Sequence, residues 1–396
     1  MFFHLNEMIA RISIFLLLLI ILPDVYLYRR YKARLTYKPR LARLLWWGSA
    51  VALAVYTIGL SLVRSFIPAN VVWLNAYLLL LDLLTLPKVV LALACLVGQG
   101  VRRVLHTRRN WGARVGLALA AAMPFVVLYG AIWGVRSLRV REVDLYFDTL
   151  PPAFEGYRIA HITDLHVGTL PRTVLRRAVD SIQALRPDAV MMTGDVQNML
   201  PQELAPVMPL LSSIKARDGV FAVLGNHDYA MYASLTDAEK RHNEAATREA
   251  ERQCGWQLLL NEHRVIRRGA DSIVVAGEEN QGRPPFPARA DIRKTLAGVP
   301  DGAFVVLMQH DPWAWEHHIL PSASIPLTLS GHTHGGQLSL FGWRPTQLTN
   351  KEDSGLYHDA TGRHALYVST GLGGVLPFRL GISPEIVVIT LHRTRR

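Results

Sequence analysis

A chain of 396 residues, half of them hydrophobic, is longer than one small core requires and points to two units. Its net charge of +12 is unevenly held: residues 1–139 carry 17 Lys/Arg against 3 Asp/Glu, and residues 140–396 carry 26 against 28. The basic excess accompanies the most apolar part of the chain, which argues for charge flanking membrane helices and against a nucleic-acid groove; with only Cys95 and Cys254, no disulfide framework is expected.

Four apolar stretches, at about 9–28, 44–66, 71–98 and 112–135, are each near the ~20 residues that cross ~30 Å of hydrocarbon. The first lacks a small-residue cleavage site and three more follow it, so it reads as a retained helix rather than a signal peptide. The third contains Asp82, Pro87 and Lys88 and is expected to kink or end near Pro87, with Asp82 set against Lys88 or at the interface. Arg29, Arg30, Lys32, Arg34, Lys38, Arg40 and Arg43 follow the first stretch, and Arg102, Arg103, Arg108, Arg109 and Arg114 the third. The second is followed by Arg64 alone. The two basic loops are expected in the cytoplasm of a bacterial cell, which puts the polar remainder on the periplasmic or extracellular side of a multi-pass protein. Arg136, Arg139 and Arg141 oppose that orientation without reversing it.

Beyond Arg139 short β-branched runs alternate with helical segments. Strands are expected at 157–163, 189–193, 220–224, 272–276, 304–308, 326–329, 365–369 and 386–391, and helices at 174–185 and 203–215. Such alternation is the pattern of α/β layers, whose ligand sites lie where strands end. Residues 229–256 interrupt it with a charged helix over 237–252, which reads as a solvated surface helix or as a cap over a site.

Polar fragments follow the apolar strands in order: Asp164-x-His166, Gly194-Asp195, Gly225-Asn226-His227-Asp228, Gln309-His310-Asp311-Pro312 and Gly331-His332-Thr333-His334. Carboxylate and imidazole together suit zinc, manganese or iron. A two-metal site needs one shared ligand and two separate sets, which this inventory supplies. The glycines before Asp195, Asn226 and His332 permit close turns.

This set resembles the calcineurin-like metallophosphoesterase superfamily, whose signature is DxH, GD, GNH[DE], H and GHxH. The stretch Gly371-Leu372-Gly373-Gly374-Val375-Leu376-Pro377-Phe378-Arg379 with Pro384-Glu385 is similar to its bacterial membrane-associated branch. The resemblance implies an α/β sandwich of two β-sheets flanked by helices over 140–396, preceded by an all-α transmembrane region of about four helices over 1–139. It implies two divalent ions, one held by Asp164, His166 and His334, the other by Asn226, His310 and His332, with Asp195 bridging. A metal-bridging hydroxide would attack phosphorus, His227 would protonate the leaving oxygen or stabilise charge, and Asp228 would orient His227.

Other polar residues read differently. His317 and His318 suit a surface or packing role, and His161, facing away from Asp164 along its strand, suits the core. Glu278-Glu279 stands where relatives of this type often place an aspartate. Nothing in the spacing selects Arg344, Lys351 or Arg379 as phosphate contacts, and Gly371-x-Gly373-Gly374 lacks the Lys-Ser/Thr of a nucleotide loop.

The expected activity is hydrolysis of a phosphomonoester, phosphodiester or pyrophosphate on a small-molecule or lipid-linked substrate, with membrane lipid as a partner and no nucleic acid. The alternatives are a cytoplasm-facing nucleotide-diacylsugar pyrophosphate hydrolase of lipid A synthesis, and a membrane sensor or transporter with a regulatory metal domain.

Overall fold

The computed structural model describes residues 3–35, 40–62, 71–233 and 235–394. Contacts divide the chain into Met1–Ile132 and Trp133–Arg396.

The first unit contains α1 (Phe3–Leu35), α2 (Arg40–Leu62), α3 (Val71–Val104) and α4 (Trp111–Ile132). Each expected apolar stretch falls on one of them, although residues 63–66 lie outside the described residues and 133–135 run past the end of α4. Val72–Val104 and Trp111–Arg136 are long and apolar enough to cross a bilayer. The helices run past the apolar runs, so Arg29 to Arg34 lie on α1 and Arg40 and Arg43 on α2, with only 36–39 between.

Two of the alternatives for the third stretch are excluded, an end near Pro87 and an Asp82–Lys88 pair. α3 runs unbroken through Pro87 to Val104. Lys88 pairs with Asp24 of α1 at 2.9 Å, not with Asp82, and also donates to the Ser49 hydroxyl of α2 at 3.2 Å. A charge among apolar helices finds an opposite charge wherever packing brings one near.

The second unit has two six-stranded mixed sheets. In chain order its elements are β1 (Arg139–Phe147), β2 (Tyr157–Ile162), α5 (Arg172–Leu185), β3 (Ala189–Met192), α6 (Met208–Leu211), β4 (Val220–Ala222), α7 (Asp237–Gln253), β5 (Gln257–Leu258), β6 (Glu262–Arg268), β7 (Asp271–Gly277), α8 (Ile292–Thr295), β8 (Val305–Met308), β9 (Leu327–Ser330), β10 (Gly355–His358), β11 (Ala365–Val368) and β12 (Glu385–Arg393). One sheet is ordered β1-β12-β2-β3-β4-β5 and the other β10-β11-β9-β8-β7-β6. The strands β2 to β5 run parallel to one another, as do β7, β8, β9 and β11.

Alternation along the strands makes three apolar layers. In β2, Ile159 joins Met191, Phe221, Val306 and Leu329 between the sheets, while Ala160 and Ile162 face outward onto α5. α5 meets them with Val174, Leu175, Ala178, Val179 and Ile182, at helical spacing. On the far side Val305, Leu307 and Leu366 pack with Trp315 and Ile319. The expected sandwich of two sheets flanked by helices is what the chain forms.

One expected helix is replaced. Residues 203–215 form short 3-10 turns at Pro201–Glu203 and Ala205–Val207 followed by the single turn of α6. Pro206 and Pro209 lack the amide hydrogen an α-helix would use there.

Candidate metal centre

The five polar fragments come together because the strands before them run parallel within each sheet. β2, β3 and β4 deliver Asp164 and His166, Asp195, and Asn226 and His227; β8 and β9 deliver His310, and His332 and His334. The strand pairing continues into the loops, where the Asp164 amide donates to Gly194 at 2.9 Å and the Gly331 amide to His310 at 3.0 Å.

Three groups of donor atoms lie within 4.8 Å of one another: Asp164–His166–His334, Asp195–His310–His332, and His166–Asp195–His227. Asp195 Oδ2 stands 3.5 Å from His166 Nε2 and 3.2 Å from His310 Nε2, between the first two groups. His334 Nε2 is 3.6 Å from Asp164 Oδ1. Asn226 Oδ1 lies 3.1 Å from His310 Nε2 and 2.8 Å from His332 Nδ1.

These residues fit a metal ion on an observation of their own. Both ring nitrogens of His166 are buried without a hydrogen-bond partner, as is His334 Nδ1. An unsatisfied buried imidazole costs free energy unless something accepts its lone pair. Burial keeps these rings neutral, the ligating form: His166 is pushed down to about 3, and His332 and His334 are also lowered. Burial opposes the charge on Asp195, yet His310 and His227 hold it well below the usual carboxylate range.

The backbone is strained in the same places. Asp164, His166, Asp195, His332 and His334 all have φ between +43° and +71°, where side chains are disfavoured. Close packing makes two glycines necessary. A Cβ on Gly225 would sit 2.2 Å from Asp195 Oδ1, and one on Gly331 would sit 2.3 Å from Asp164 Oδ2.

One expected contact is corrected. Asp228 does not touch the His227 ring; its carboxylate accepts the amides of Asp195 at 2.7 Å, Val196 at 3.1 Å, Gln197 at 3.3 Å and Gly225 at 2.9 Å. It therefore ties the two loops that carry Asp195 and Asn226. His227 is held instead by the Asn198 carbonyl, which its Nδ1 approaches at 2.5 Å.

Several supporting residues were not among the expected ligands or catalytic groups. The Tyr232 hydroxyl accepts from Asn226 Nδ2 at 2.9 Å, and its ring lies 4.2 Å from that of His227. Glu203 accepts the amides of Asn198, Met199 and Leu200 and so fixes the loop that holds His227. Asp311 Oδ2 lies 3.7 Å from His332 Nε2. Their signals were an acid or a tyrosine a few residues from a motif, which many surface positions share.

The charged helix over 237–252 is not merely solvated. α7 buries Asn243, Thr247 and Glu251. Thr247 donates to Gln197 Oε1 at 2.8 Å, and Gln197 Nε2 donates to the His227 carbonyl at 3.2 Å.

The remaining candidates are otherwise engaged. His161 is fully buried between the sheets and bonds Thr193 Oγ1 at 2.8 Å. His318 bonds buried Glu278 at 3.0 Å, and His317 bonds the Trp313 carbonyl at 2.9 Å. Arg344 forks onto Asp353 at 2.6 and 2.9 Å, exposed Lys351 pairs with Glu316, and Arg379 is buried among backbone carbonyls.

Comparison with known proteins places this arrangement. Residues 157–336 match the family "Calcineurin-like phosphoesterase", and residues 10–135 match "Probable Calcineurin-like phosphoesterase, transmembrane domain". The uncharacterized metallophosphoesterase YkuE of Bacillus subtilis is 30% identical over 65% of this chain and 87% of its own. A transmembrane protein with metallophosphoesterase domain from Danio rerio is 29% identical over 68% of this chain; the match spans only 60% of that longer relative. UDP-2,3-diacylglucosamine pyrophosphatase LpxG of Chlamydia trachomatis is 28% identical over 61% of this chain and 86% of its own. The chain belongs to the calcineurin-like metallophosphoesterases, in the group that carries an amino-terminal transmembrane phosphoesterase domain.

Proposed function

We propose that the protein is a membrane-anchored binuclear phosphoesterase in which Asp164, His166 and His334 hold one divalent ion, Asn226, His310 and His332 hold a second, and Asp195 serves both. The observation that carries this reading is the position of Asp195 Oδ2, within 3.5 Å of imidazole nitrogens from both groups. Manganese, iron and zinc all suit the donor set.

When bound, such ions polarise a phosphoryl oxygen and lower the pKa of water toward neutrality. The chain supplies the rest. A carbonyl only accepts, so His227 Nδ1 carries the proton in its bond to Asn198, and Nε2 is left to exchange a proton with the leaving oxygen. Tyr232 fixes the Asn226 amide so that its oxygen, not its nitrogen, faces His310 and His332. Asp228, through four amides, keeps the loops in register.

The membrane-spanning half supports, as the substrate class, a lipid-linked phosphate or pyrophosphate presented at the bilayer surface outside the cytoplasm. The similarity to LpxG supports a second reading, a nucleotide-linked diacyl sugar cleaved at its pyrophosphate on the cytoplasmic side. No signature ligand is missing, which favours an enzyme over a sensor with an inert metal domain. A screen of the detergent-purified protein against monoesters, diesters, lipid phosphates and nucleotide sugars, across several metals, tests the proposal. Bound metal without turnover on any phosphoester would overturn the catalytic reading.

A further inference from the structure

The chain after His334 carries a feature that the metal centre does not use. Leu338 bridges to Leu380, and Leu340 and Trp343 close a turn through backbone hydrogen bonds of 2.9 and 3.0 Å. Phe341 at its tip is wholly exposed, and Leu340 and Trp343 are nearly half exposed. Phe341 also has φ +54°, a conformation a bulky side chain adopts at a cost. Leu348 and Leu376, on the flanking segments, are exposed too. A strained turn that presents aromatic side chains to solvent leaves apolar surface that a partner could cover.

Beside the turn lies a cleft of about 320 Å³, whose lining includes Arg139, Arg141 and Arg344, one carboxylate, Glu385, and hydroxyl residues such as Ser339 and Ser383. Two of the three guanidinium groups are neutralised, Arg141 by Glu385 at 3.2 Å and Arg344 by Asp353. Arg139 has no ionic partner among the described residues and leaves the cleft with a surplus of one positive charge. That charge and the hydroxyls suit a singly charged phosphodiester better than a dianionic phosphate.

We propose that the turn and the cleft form a lipid-interface site: the Leu340–Trp343 tip enters the bilayer surface, and the cleft takes the phosphodiester of an anionic phospholipid headgroup. Aromatic side chains favour that boundary, and basic residues beside them bind anionic lipid. A bilayer is also the partner this chain keeps closest in sequence, since Arg139 stands seven residues beyond Ile132, the end of α4. The site is independent of the metal-centre assignments.

The test uses the full chain in nanodiscs of phosphatidylcholine, with or without phosphatidylglycerol. An environment-sensitive fluorophore is placed at Phe341→Cys, with Asp301→Cys, in an exposed turn, as the control; the native Cys95 and Cys254 are buried. The label at 341, and not at 301, should be quenched by lipid-borne quenchers, more strongly with phosphatidylglycerol. Arg139→Gln should raise the phosphatidylglycerol content needed for that increase about fivefold. Equal access of aqueous iodide to both labels would overturn the proposal. So would the same response produced by inorganic phosphate in phosphatidylcholine discs, which would assign the cleft to a free anion. Protection at 341 that appears only with two copies per disc would assign the turn to a second copy of the chain and refute the lipid site.

Discussion

The amide of Gly373 donates to the carbonyl of Asp164 at 2.7 Å, and that of Leu372 to the carbonyl of Thr163 at 3.0 Å, so the loop after β11 grips the backbone that presents a carboxylate of the candidate metal centre. Arg379 holds that loop. Its guanidinium is buried and donates to the carbonyls of Thr370 at 2.8 Å, Gly371 at 3.2 Å, Ser383 at 3.2 Å and Gly373. Arg379→Ala would leave these acceptors unpaired, at about 1–3 kcal/mol for each that water cannot reach. It would also free Asp164 and His166 to relax from φ of +52° and +43°. The expected outcome is a lower Tm and metal retention reduced at least about tenfold, as for other residues that hold ligands in place. Arg379→Lys, a point charge in place of a fork, should fall between. A lowered Tm with full metal content would confine Arg379 to folding.

Asp195 and His227 should separate binding from chemistry. Asp195→Asn removes the charge that faces both donor groups, so metal content measured by elemental analysis should drop along with turnover. His227→Ala should retain its metal and lose rate by about 10²–10⁴-fold, the usual contribution of a positioned acid or charge stabiliser. An unchanged rate in His227→Ala on a substrate with a poor leaving group would remove His227 from the chemistry. Full metal content in Asp195→Asn would dismiss its place between the ions.

What was legible in the sequence is what side chains advertise. Asp164, Asn226, His310 and His332 stand out because each interrupts or ends an apolar strand, and the structure gathers them as the parallel strand ends require. The supports were hidden because they act through backbone atoms: the Asn198 carbonyl that holds His227, the amides that Asp228 collects, the carbonyls around Arg379. The four edge strands, β1, β5, β6 and β10, were missed because they are short, as in Gln257–Leu258, or alternate with exposed polar residues, as in Glu262–Arg268, and do not read as buried runs. The Asp24–Lys88 pair joins residues 64 apart, a separation no local pattern reports.

His161, which bonds none of the candidate ligands directly, gives a pH prediction. Burial pushes it down to about 3 from an ordinary value of 6.5. Between those values the unfolded chain binds a proton that the folded chain refuses. The stability this residue allows is therefore fully present above pH 6.5 and is lost as pH falls toward 3, by at most about 1.4 kcal/mol per pH unit. His161→Gln should keep a hydrogen bond to Thr193 and flatten the fall of Tm between pH 6.5 and 5 in the metal-loaded protein. A variant whose Tm falls with pH as steeply as the wild type would show that His161 is not a buried neutral histidine.

The side of the membrane on which the metal centre lies decides between the two substrate readings. Seven basic residues stand between 29 and 43 and five between 102 and 114, whereas Arg64 alone follows the second apolar stretch. Translocating short segments so rich in Lys and Arg is unfavourable, so both should remain in the cytoplasm. The continuity of α3 through Pro87 and Lys88 supports a full third crossing, with the Lys88 charge answered by Asp24 inside the helical unit. Four crossings would return the chain to the side from which it started and would set the candidate metal centre toward the periplasm or the exterior, where lipid-linked phosphates of the outer leaflet are within reach. A reporter fused after Arg396 measures this directly. Alkaline phosphatase, active only outside the cytoplasm, should be active in that fusion. Fluorescence from a cytoplasm-only reporter at the same position, without phosphatase activity, would reverse the orientation and leave the cytoplasmic nucleotide-sugar substrate as the reading to pursue.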